Sequence, residues 1–404
     1  MGKKIIISIQ RGIEVWLIFA LTLFILGYFI FPTSSKQNTF FYIGVCIPIV
    51  LLLPAYFAKL KLQNWLIAST LIFSFYLFLN SLWSIHFSTE QTLRYLRYLF
   101  TLYCLFAAVL FVGYKKPNYS GFIFPALVVV GFFHSIYGIW DHFNTFKDPF
   151  LHRYSATYYN PIDSALRVGL LLLTCLWLMM ESKTWRDKFL YLCLSIPFII
   201  IILLAKSRGP QLALLVTLPF IAVFQEISFK KFTIFSLGIL FAFGLVFFFS
   251  DSLKMLFSRG LTFPSRGEIW LVSIGESLEH FWFGQGASHK PSLKMADGGV
   301  FTHSHNILLA IFRMGGFIGA SLFLVNLFLC FFAGFTERKR LEKLWVIWLL
   351  FGVLCLMTNG QYPLTRPTSL WFAYWIPIIF ICASFSNFLP IRNRLIKMAG
   401  VLKE

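Results

Sequence analysis

The chain carries little charge. Only 13% of its 404 residues are Asp, Glu, Lys or Arg, whereas 58% are hydrophobic. About a quarter of the residues in a soluble globular domain are charged, so this composition excludes a soluble globular domain. Acidic residues are scarcer than basic ones, 16 against 35, and the formal net charge is +19. The basic residues are scattered over short loops without a basic, aromatic-interleaved face, so we expect no nucleic-acid binding.

Cysteine pairs and metal-ligand patterns are also lacking. The seven Cys all lie in apolar segments without Cys-X-X-Cys spacing, which argues against disulfides and against zinc. His303 and His305 stand two residues apart, but no carboxylate or Cys accompanies them at ligand spacing. We therefore expect neither a metal ion nor another cofactor. No repeat or linker divides the sequence, and we expect residues 1–404 to form a single membrane domain.

Long apolar runs take the place of charge. A transmembrane helix needs about 17–25 predominantly apolar residues, and most of these runs reach that length. Twelve such segments lie at residues 13–31, 39–57, 65–83, 96–114, 121–140, 162–180, 189–205, 211–225, 233–250, 306–332, 344–360 and 369–388. We predict an all-α polytopic membrane protein with about 12 transmembrane helices, the first being a span and not a signal peptide.

The distribution of basic residues predicts the orientation. Short loops on one side of the predicted spans hold 20 of the 35 Lys and Arg residues, and basic short loops face the cytoplasm. An even number of spans places both termini on that side. The longest polar stretch, residues 251–305, then faces outward and is expected to contain short helices. In a bacterial inner membrane the outward side is the periplasm.

Arginines stand at the outward ends of the predicted spans. Arg208 lies in a five-residue loop where Gly209 is expected to form a tight turn, and Arg266 starts a predicted amphipathic helix over residues 268–280. A guanidinium matches paired phosphate oxygens, and a helix start favours anions. We interpret both as phosphate ligands, with Arg259 as a secondary candidate. A snorkelling cation at Arg208 and an ion pair between Arg266 and Glu268 are the alternatives.

His305 directly precedes the apolar segment 306–332. A neutral imidazole at the membrane surface can accept a proton from a hydroxyl group; a helix-start residue beside an Asn306 cap is the alternative. Gly316 and Gly319 fall on the His305 face of an ideal helix, where small residues allow close helix packing. Arg313, roughly 12 Å deeper along that helix, needs a partner or a wet cavity.

Two further motifs carry weaker signals. Asn160-Pro161 opens the segment 162–180, where an Asn cap with Pro in the first turn is a sufficient structural reason. Arg167 lies about two turns deeper and is a candidate for the same cavity. The turn Phe283-Gly284-Gln285-Gly286 is either a plain turn or a cradle for phosphate oxygens.

These motifs, in this order, resemble the O-antigen ligase/polymerase superfamily. The resemblance covers about residues 155–320, and a second His at position 303 departs from the family pattern, in which His305 holds the family position. The residues that carry it are Asn160-Pro161, Ser207-Arg208-Gly209, Arg266 with Trp270, Phe283-Gly284-Gln285-Gly286, and His305-Asn306 followed by Gly316 and Gly319.

The resemblance implies a metal-independent, inverting, membrane-embedded glycosyltransferase. Such an enzyme moves a glycan from undecaprenyl pyrophosphate to an acceptor in the periplasm, which for O-antigen ligases is a sugar hydroxyl of lipid A–core. It implies His305 as the base and Arg208 and Arg266 as pyrophosphate ligands. The further substrate-binding candidates are His303, Arg259, Arg313, Asn160 and Arg167.

Other functions remain open on the sequence alone. Within the superfamily the alternatives are an O-antigen polymerase and a protein O-oligosaccharyltransferase, since nothing in the sequence identifies the acceptor. A lipid-linked oligosaccharide flippase or other transporter is the alternative from a different class. A transporter predicts ionisable residues near the bilayer midplane in several spans, and here only Arg167 and Arg313 lie deep.

Overall fold

The computed structural model describes residues 2–56, 65–155, 160–226, 264–287, 293–294, 300–301, 303–337 and 339–385. Within these residues the protein is helical apart from one short antiparallel strand pair, so the predicted all-α class is confirmed. The predicted segment 233–250 and Arg259 lie outside the described residues.

Thirteen helices are described. In chain order they are α1 (Gly2–Ile30), α2 (Ser34–Phe41), α3 (Ile47–Tyr56), α4 (Trp65–Leu79), α5 (Thr89–Lys115), α6 (Tyr119–Thr145), α7 (Pro161–Glu181), α8 (Trp185–Leu204), α9 (Arg208–Phe224), α10 (Pro264–Glu279), α11 (Ile307–Thr336), α12 (Arg340–Asn359) and α13 (Ile376–Phe385). Wider π-type turns, Tyr42–Cys46 and Trp371–Trp375, join α2 to α3 and precede α13. The strands are β1 (Leu293–Lys294) and β2 (Val300–Phe301).

The polytopic architecture is also confirmed. Among the described residues, eight helices are long and apolar enough to cross a membrane, and three shorter apolar helices accompany them. These eleven coincide with eleven of the twelve predicted segments. The shorter ones are Trp65–Leu79, Arg208–Phe224 and Trp371–Ser384.

Two spans lie at the centre of the bundle. Of the residues in their apolar windows, 78% in α7 and 67% in α12 are buried, against 33% in α6 and in α8. The α12 helix packs on α7, α9, α11 and α13, and its Trp345 and Trp348 are fully buried. The outer helices expose large apolar side chains such as Phe133 and Phe328, a surface that suits lipid rather than water.

The predicted helix caps are present. The Asn160 side chain accepts a hydrogen bond from the Ile162 N–H of α7 at 2.9 Å. Asn306 accepts from the first turn of α11, from the Leu308 and Leu309 N–H groups at 2.9 and 3.1 Å. Each cap satisfies amides that have no partner inside the helix, so these residues set where α7 and α11 begin.

The short connection between α8 and α9 differs from the prediction. Its left-handed residue is Lys206, with φ 48°, while Gly209 lies inside the first turn of α9. A Cβ at Gly209 would stand 2.3 Å from the Thr358 hydroxyl oxygen of α12. Glycine is therefore required there for the close approach of α9 to α12 and not for a tight turn.

The α11 helix is broken at Gly316, which has φ 64° and ψ −165°. The carbonyls of Arg313 and Met314 accept hydrogen bonds from the backbone N–H groups of Gln285 and Gly286, both at 2.9 Å. The amides of the 284–286 turn are thus occupied by protein carbonyls. The plain-turn interpretation of this motif holds, and the phosphate-cradle alternative is wrong.

The other side of the break is closed in the same way. Beyond Gly316, the Phe317 and Ile318 N–H groups donate to the carbonyls of Phe281 and Trp282, at 2.7 and 3.3 Å. The segment 281–286 therefore packs against the break in α11 and supplies the backbone hydrogen bonds that the broken helix lacks.

Because of this break, the expected single helix face through His305, Gly316 and Gly319 is wrong. His305 precedes the helix and Gly316 interrupts it. Gly319 does pack closely, since a Cβ there would stand 3.1 Å from the Tyr76 ring of α4.

Candidate functional site

His305 occupies a strained position between β2 and α11. Its φ is 51°, a left-handed conformation that costs about 1–3 kcal/mol outside glycine and persists only when the surroundings enforce it. The Trp270 indole N–H of α10 donates to the Ser304 carbonyl at 3.1 Å, and Asn306 caps α11. These contacts hold the His305 backbone from both sides.

The surroundings of His305 favour a neutral imidazole. Burial lowers the pKa of His305, the nearby positive charge of Arg266 lowers it further, and a side-chain hydrogen bond with Asn359 opposes both. The Nδ1 atom of His305 is buried and has no hydrogen-bond partner among the described residues. A neutral ring with an unpartnered nitrogen is suited to accept a proton.

His303 lies directly beside His305, with 3.9 Å between the ring centroids. Burial, and secondarily the charge of His305, lowers the pKa of His303 to about 4. Both rings are therefore neutral near pH 7, so neither carries a positive charge that would disfavour protonation of the other.

Arg266 stands in the first turn of α10 and is half-buried. Burial lowers the pKa of Arg266, although a guanidinium keeps its charge at neutral pH. In the described part of the chain no carboxylate pairs with it, so the predicted alternative of an ion pair with Glu268 is not seen there. A half-buried cation of this kind is stabilised when an anion binds.

Arg208 is the first residue of α9, after the N-cap Ser207, whose side chain makes no capping hydrogen bond. Its neighbour Gly209 lies against Thr358, the residue before Asn359, which contacts His305. The start of α9, and with it Arg208, therefore lies at the same end of the bundle as His305. Helix-start amides and a guanidinium together favour an anion there.

A polar chain that sequence analysis missed leads away from His305. Asn359, the last residue of α12, donates from its amide nitrogen to a carboxylate oxygen of Asp163 in the first turn of α7, at 3.5 Å. Only the Asn-Pro motif three residues before Asp163 pointed to this helix start. Asn359 offered no signal beyond a polar residue at the end of an apolar segment.

The predicted candidate Arg167 lies one turn below Asp163 and is buried. Its guanidinium donates to the Ser369 hydroxyl at 2.7 and 3.2 Å and to the Tyr28 carbonyl at 3.4 Å. Ser369 also hydrogen-bonds Asp163, whose carboxylate feels the Arg167 charge. These contacts favour an anchoring role for Arg167, and its part in substrate binding stays a prediction.

Two other candidates also have protein partners. The Arg313 guanidinium forms an ion pair with Glu276 of α10, and the two side chains are 4% and 26% exposed. This pair confirms the expectation that a cation so deep in the helix has a partner. Asn160 is engaged as the α7 cap. For both residues a role in substrate binding stays a prediction.

Two observations bear on other ligands. No group of three or more His, Cys, Asp and Glu within the described ranges is arranged to hold a metal ion. An apolar groove of about 480 Å³ lies between α3 and α5, with Arg97 among its lining residues. None of the residues that contact His305 lines this groove, so it belongs to another face of the protein.

Comparison with known proteins supports the family suggested by the motifs. Residues 190–324 match the family model for O-antigen ligases, and this segment contains Arg208, Arg266, His303 and His305. An O-antigen ligase from Pseudomonas aeruginosa is 32% identical over 133 residues.

That match spans about a third of each chain, 32% of this one and 32% of the relative. No solved structure matches the chain. The family match and the eight apolar spans agree with the predicted resemblance: this is a multi-pass membrane protein, and its residues 190–324 are similar to O-antigen ligases.

Proposed function

We propose that the protein is an O-antigen ligase that transfers a glycan from undecaprenyl pyrophosphate to a sugar hydroxyl of lipid A–core, with inversion and without a metal ion. One observation carries this proposal. Arg266, half-buried and without a carboxylate partner in the described part of the chain, lies near His305, whose Nδ1 is buried and unpartnered there. A vacant cationic position beside a neutral base suits an anionic leaving group and a hydroxyl nucleophile.

The arginines are assigned to the donor. A pyrophosphate leaves as a stable anion, so it requires fixed positive charge rather than a general acid. Arg266 is positioned in the first turn of α10 and Arg208 at the start of α9. Their planar donor forks match phosphate oxygens, and the helix starts add oriented amides.

His305 is assigned to the acceptor. Its lowered pKa keeps the ring neutral at pH 7, ready to take the proton of the attacking hydroxyl. The hydroxyl oxygen forms a bond to the anomeric carbon while the bond from that carbon to the pyrophosphate oxygen breaks. The electron pair leaves with the pyrophosphate and the proton moves to His305. Attack from the face opposite the leaving group inverts the anomeric centre.

The reaction is placed on the periplasmic side. The bias of Lys and Arg toward one set of short loops supports cytoplasmic termini and an outward 251–305 segment. Nucleotide sugars are not supplied to that compartment, so a donor activated on a lipid fits the location.

A deletion strain tests the function and its alternatives. If the protein is a ligase, long-chain lipopolysaccharide disappears, polymer accumulates on undecaprenyl pyrophosphate, and the wild-type gene restores ligation. Core carrying a single repeat identifies a polymerase instead. Unchanged lipopolysaccharide with loss of glycoprotein identifies a protein O-oligosaccharyltransferase. Donor trapped on the cytoplasmic leaflet identifies a flippase. Each of the last three results contradicts the proposal.

A further inference from the structure

We propose that the apolar groove between α3 and α5 binds one molecule of an anionic phospholipid, phosphatidylglycerol, with the phosphate at Arg97 and one acyl chain along the groove. The groove has a volume of about 480 Å³, and ligand sites in proteins typically enclose about 300–1,000 Å³. None of its lining residues belongs to the candidate site at His305. The lipid site is therefore distinct from the proposed donor site and does not depend on the proposed function.

The groove is an apolar channel with one charged residue in its lining. One wall begins in the π-type turn Tyr42–Cys46 and continues into α3, and such wide turns are frequent at functional sites. The other wall is one face of α5, formed by Arg97, Phe100 and Thr101. The Thr101 hydroxyl donates to the Tyr98 carbonyl at 2.9 Å. Arg97 is therefore the group that can hold a charged ligand.

The two walls run in the same direction through the bundle. Glu14 of α1 accepts a hydrogen bond from the hydroxyl of Tyr56, the last residue of α3. The same carboxylate pairs with Lys115, the last residue of α5, at 2.8 Å. Because the two helices end at one place, Tyr42 and Arg97 both lie toward the other end of the groove.

The Arg97 end of the groove is also the end of the bundle that carries His305. Tyr95 of α5 donates from its hydroxyl to the Ala287 carbonyl at 2.9 Å, and Ala287 follows the 284–286 turn that is bonded to α11. Residues two apart lie on opposite faces of a helix, so Tyr95 faces the bundle and Arg97 faces outward. With the predicted orientation, the phosphate then lies in the outer leaflet.

The depth of Arg97 calls for an anionic partner. It stands eight residues after Thr89, the first residue of α5, which is roughly 12 Å along the helix. A cation at that depth on a lipid-facing surface needs a partner. Arg97 lies over the Tyr98 ring, 5.7 Å from the ring centroid, and no carboxylate in the described part of the chain pairs with it. A lipid phosphate supplies the missing negative charge, and its oxygens match the guanidinium fork.

The charges around the groove favour phosphatidylglycerol over a zwitterionic lipid. No Asp or Glu stands among the described residues that line the groove. The acidic residue nearest along α5 is Glu90, which is already paired with Arg94 at 2.7 Å. The amine of phosphatidylethanolamine would therefore find no free acidic partner, whereas the single negative charge of phosphatidylglycerol is matched by Arg97.

The apolar wall has the length and the opening that an acyl chain needs. From Tyr42 to Leu51 the wall runs for nine residues, roughly 13 Å at 1.5 Å per residue. Ile43, Ile47 and Leu51 are spaced four residues apart on this wall, and each is more than half exposed. The groove is therefore open toward the bilayer along its length, so a chain can enter it sideways while the headgroup stays at Arg97.

Native mass spectrometry of the wild-type protein tests the lipid preference without any variant. The protein is titrated in detergent with phosphatidylglycerol and, separately, with phosphatidylethanolamine. The first phosphatidylglycerol should bind at least about fivefold more tightly, which is the factor that one basic residue contributes to anionic-lipid binding. Equal affinity for the two lipids overturns the proposal.

Two variants, each with a matched control, locate the site. Arg97→Gln should weaken phosphatidylglycerol binding about fivefold, whereas Lys36→Gln, at an exposed cation of α2 outside the lining, should not. Ile47→Trp fills the groove and should weaken binding at least as much, whereas Ile136→Trp, at an exposed position of α6, should not. Variants are compared at equal unfolding midpoints. Equal losses in variant and control indicate unspecific lipid contact and overturn the proposal.

Photocrosslinking in a bilayer identifies the occupant even if a variant fails to fold. Wild-type protein in phosphatidylcholine vesicles, containing phosphatidylglycerol with a photoreactive acyl chain, should be labelled chiefly within residues 42–51 and 97–101. Labelling spread evenly over the lipid-facing helices contradicts the proposal. Labelling of the same residues by a photoreactive prenyl pyrophosphate that displaces phosphatidylglycerol assigns the groove to the donor. A dimer that Ile47→Trp dissociates assigns it to a second copy. Either result overturns the proposal.

Discussion

The backbone N–H of Gln285 donates to the carbonyl oxygen of Arg313 at 2.9 Å, an acceptor that a continuous helix would give to Phe317. The Arg313 guanidinium in turn pairs with Glu276 of α10. The start of α11 is thus tied to α10 and its following turn twice, through backbone and side chain. Arg266 at the beginning of α10 and His305 before α11 are held together by this double connection.

The packing of segment 281–286 against the helix break at Gly316 predicts that adding a single methyl group there strongly lowers stability. In Gly316→Ala the new Cβ would stand 2.3 Å from the Trp282 carbonyl oxygen, at a φ of 64° that disfavours alanine. We expect a loss of at least about 2 kcal/mol, measured as a lower midpoint of thermal unfolding in detergent.

The matched control for this substitution is Gly275→Ala in α10. A Cβ there meets nothing within 4 Å, and replacing a helical glycine by alanine contributes roughly 0.5–1 kcal/mol of stability. Equal unfolding midpoints for the two variants would contradict the close packing of segment 281–286 against Gly316.

The Arg313–Glu276 pair predicts a second stability effect. Glu276→Gln leaves a 4% exposed guanidinium without its carboxylate. Breaking a fully buried pair costs about 3–5 kcal/mol, and the partial exposure of Glu276 reduces this to about 2 kcal/mol. The double variant Arg313→Met with Glu276→Leu removes both charges and should be more stable than Glu276→Gln. A double variant that is less stable argues that the pair has a role beyond charge compensation.

The sequence pattern was sufficient for the helices and for the caps at the start of two of them. Apolar runs predict the spans because lipid leaves the backbone few alternatives to a helix, and the caps Asn160 and Asn306 follow from their local chemistry. Asp163 could not be predicted as a partner of Asn359 and Ser369, because it is an isolated polar residue about 200 positions away from both. Their meeting depends on how α7 packs against α12.

Glycine positions in the chain led to wrong predictions where contacts with distant segments determine the backbone conformation. Gly209 was expected to turn the chain, but Lys206 has the left-handed conformation that does so. The glycine at position 209 is explained instead by the close approach of Thr358. The turn at residues 284–286 was compatible with an anion cradle, but its three amides donate instead to the carbonyls of His280, Arg313 and Met314.

The proposed base predicts a specific pair of histidine variants. His305→Asn retains a residue that tolerates the left-handed backbone but removes the basic nitrogen, so we expect transfer to fall about 10²–10⁴-fold. His303→Asn, two residues away, should retain most activity. Transfer rates of both purified proteins, compared at equal amounts of folded protein, check this. A larger loss in His303→Asn than in His305→Asn assigns the base to His303.

The lowered pKa of His305 predicts the pH dependence of transfer. The base acts only when neutral, so activity falls as pH drops below its pKa in the enzyme. That pKa lies below the ordinary value of about 6.5 because burial and Arg266 disfavour the protonated ring. The acid limb of kcat/KM should therefore lie below pH 6.5 with a slope of one. A limb above pH 6.5 indicates a different base or an acidic neighbour at His305.

Binding of a short-chain prenyl pyrophosphate to purified protein tests most directly whether the arginines hold the leaving group. Arg208→Lys and Arg266→Lys should each weaken binding about 10-fold or more, because an ammonium lacks the planar fork. His305→Asn should bind like wild type yet fail to transfer, and Arg94→Lys, at an exposed pair with Glu90, should change neither. Unaltered binding in both arginine variants would contradict the account.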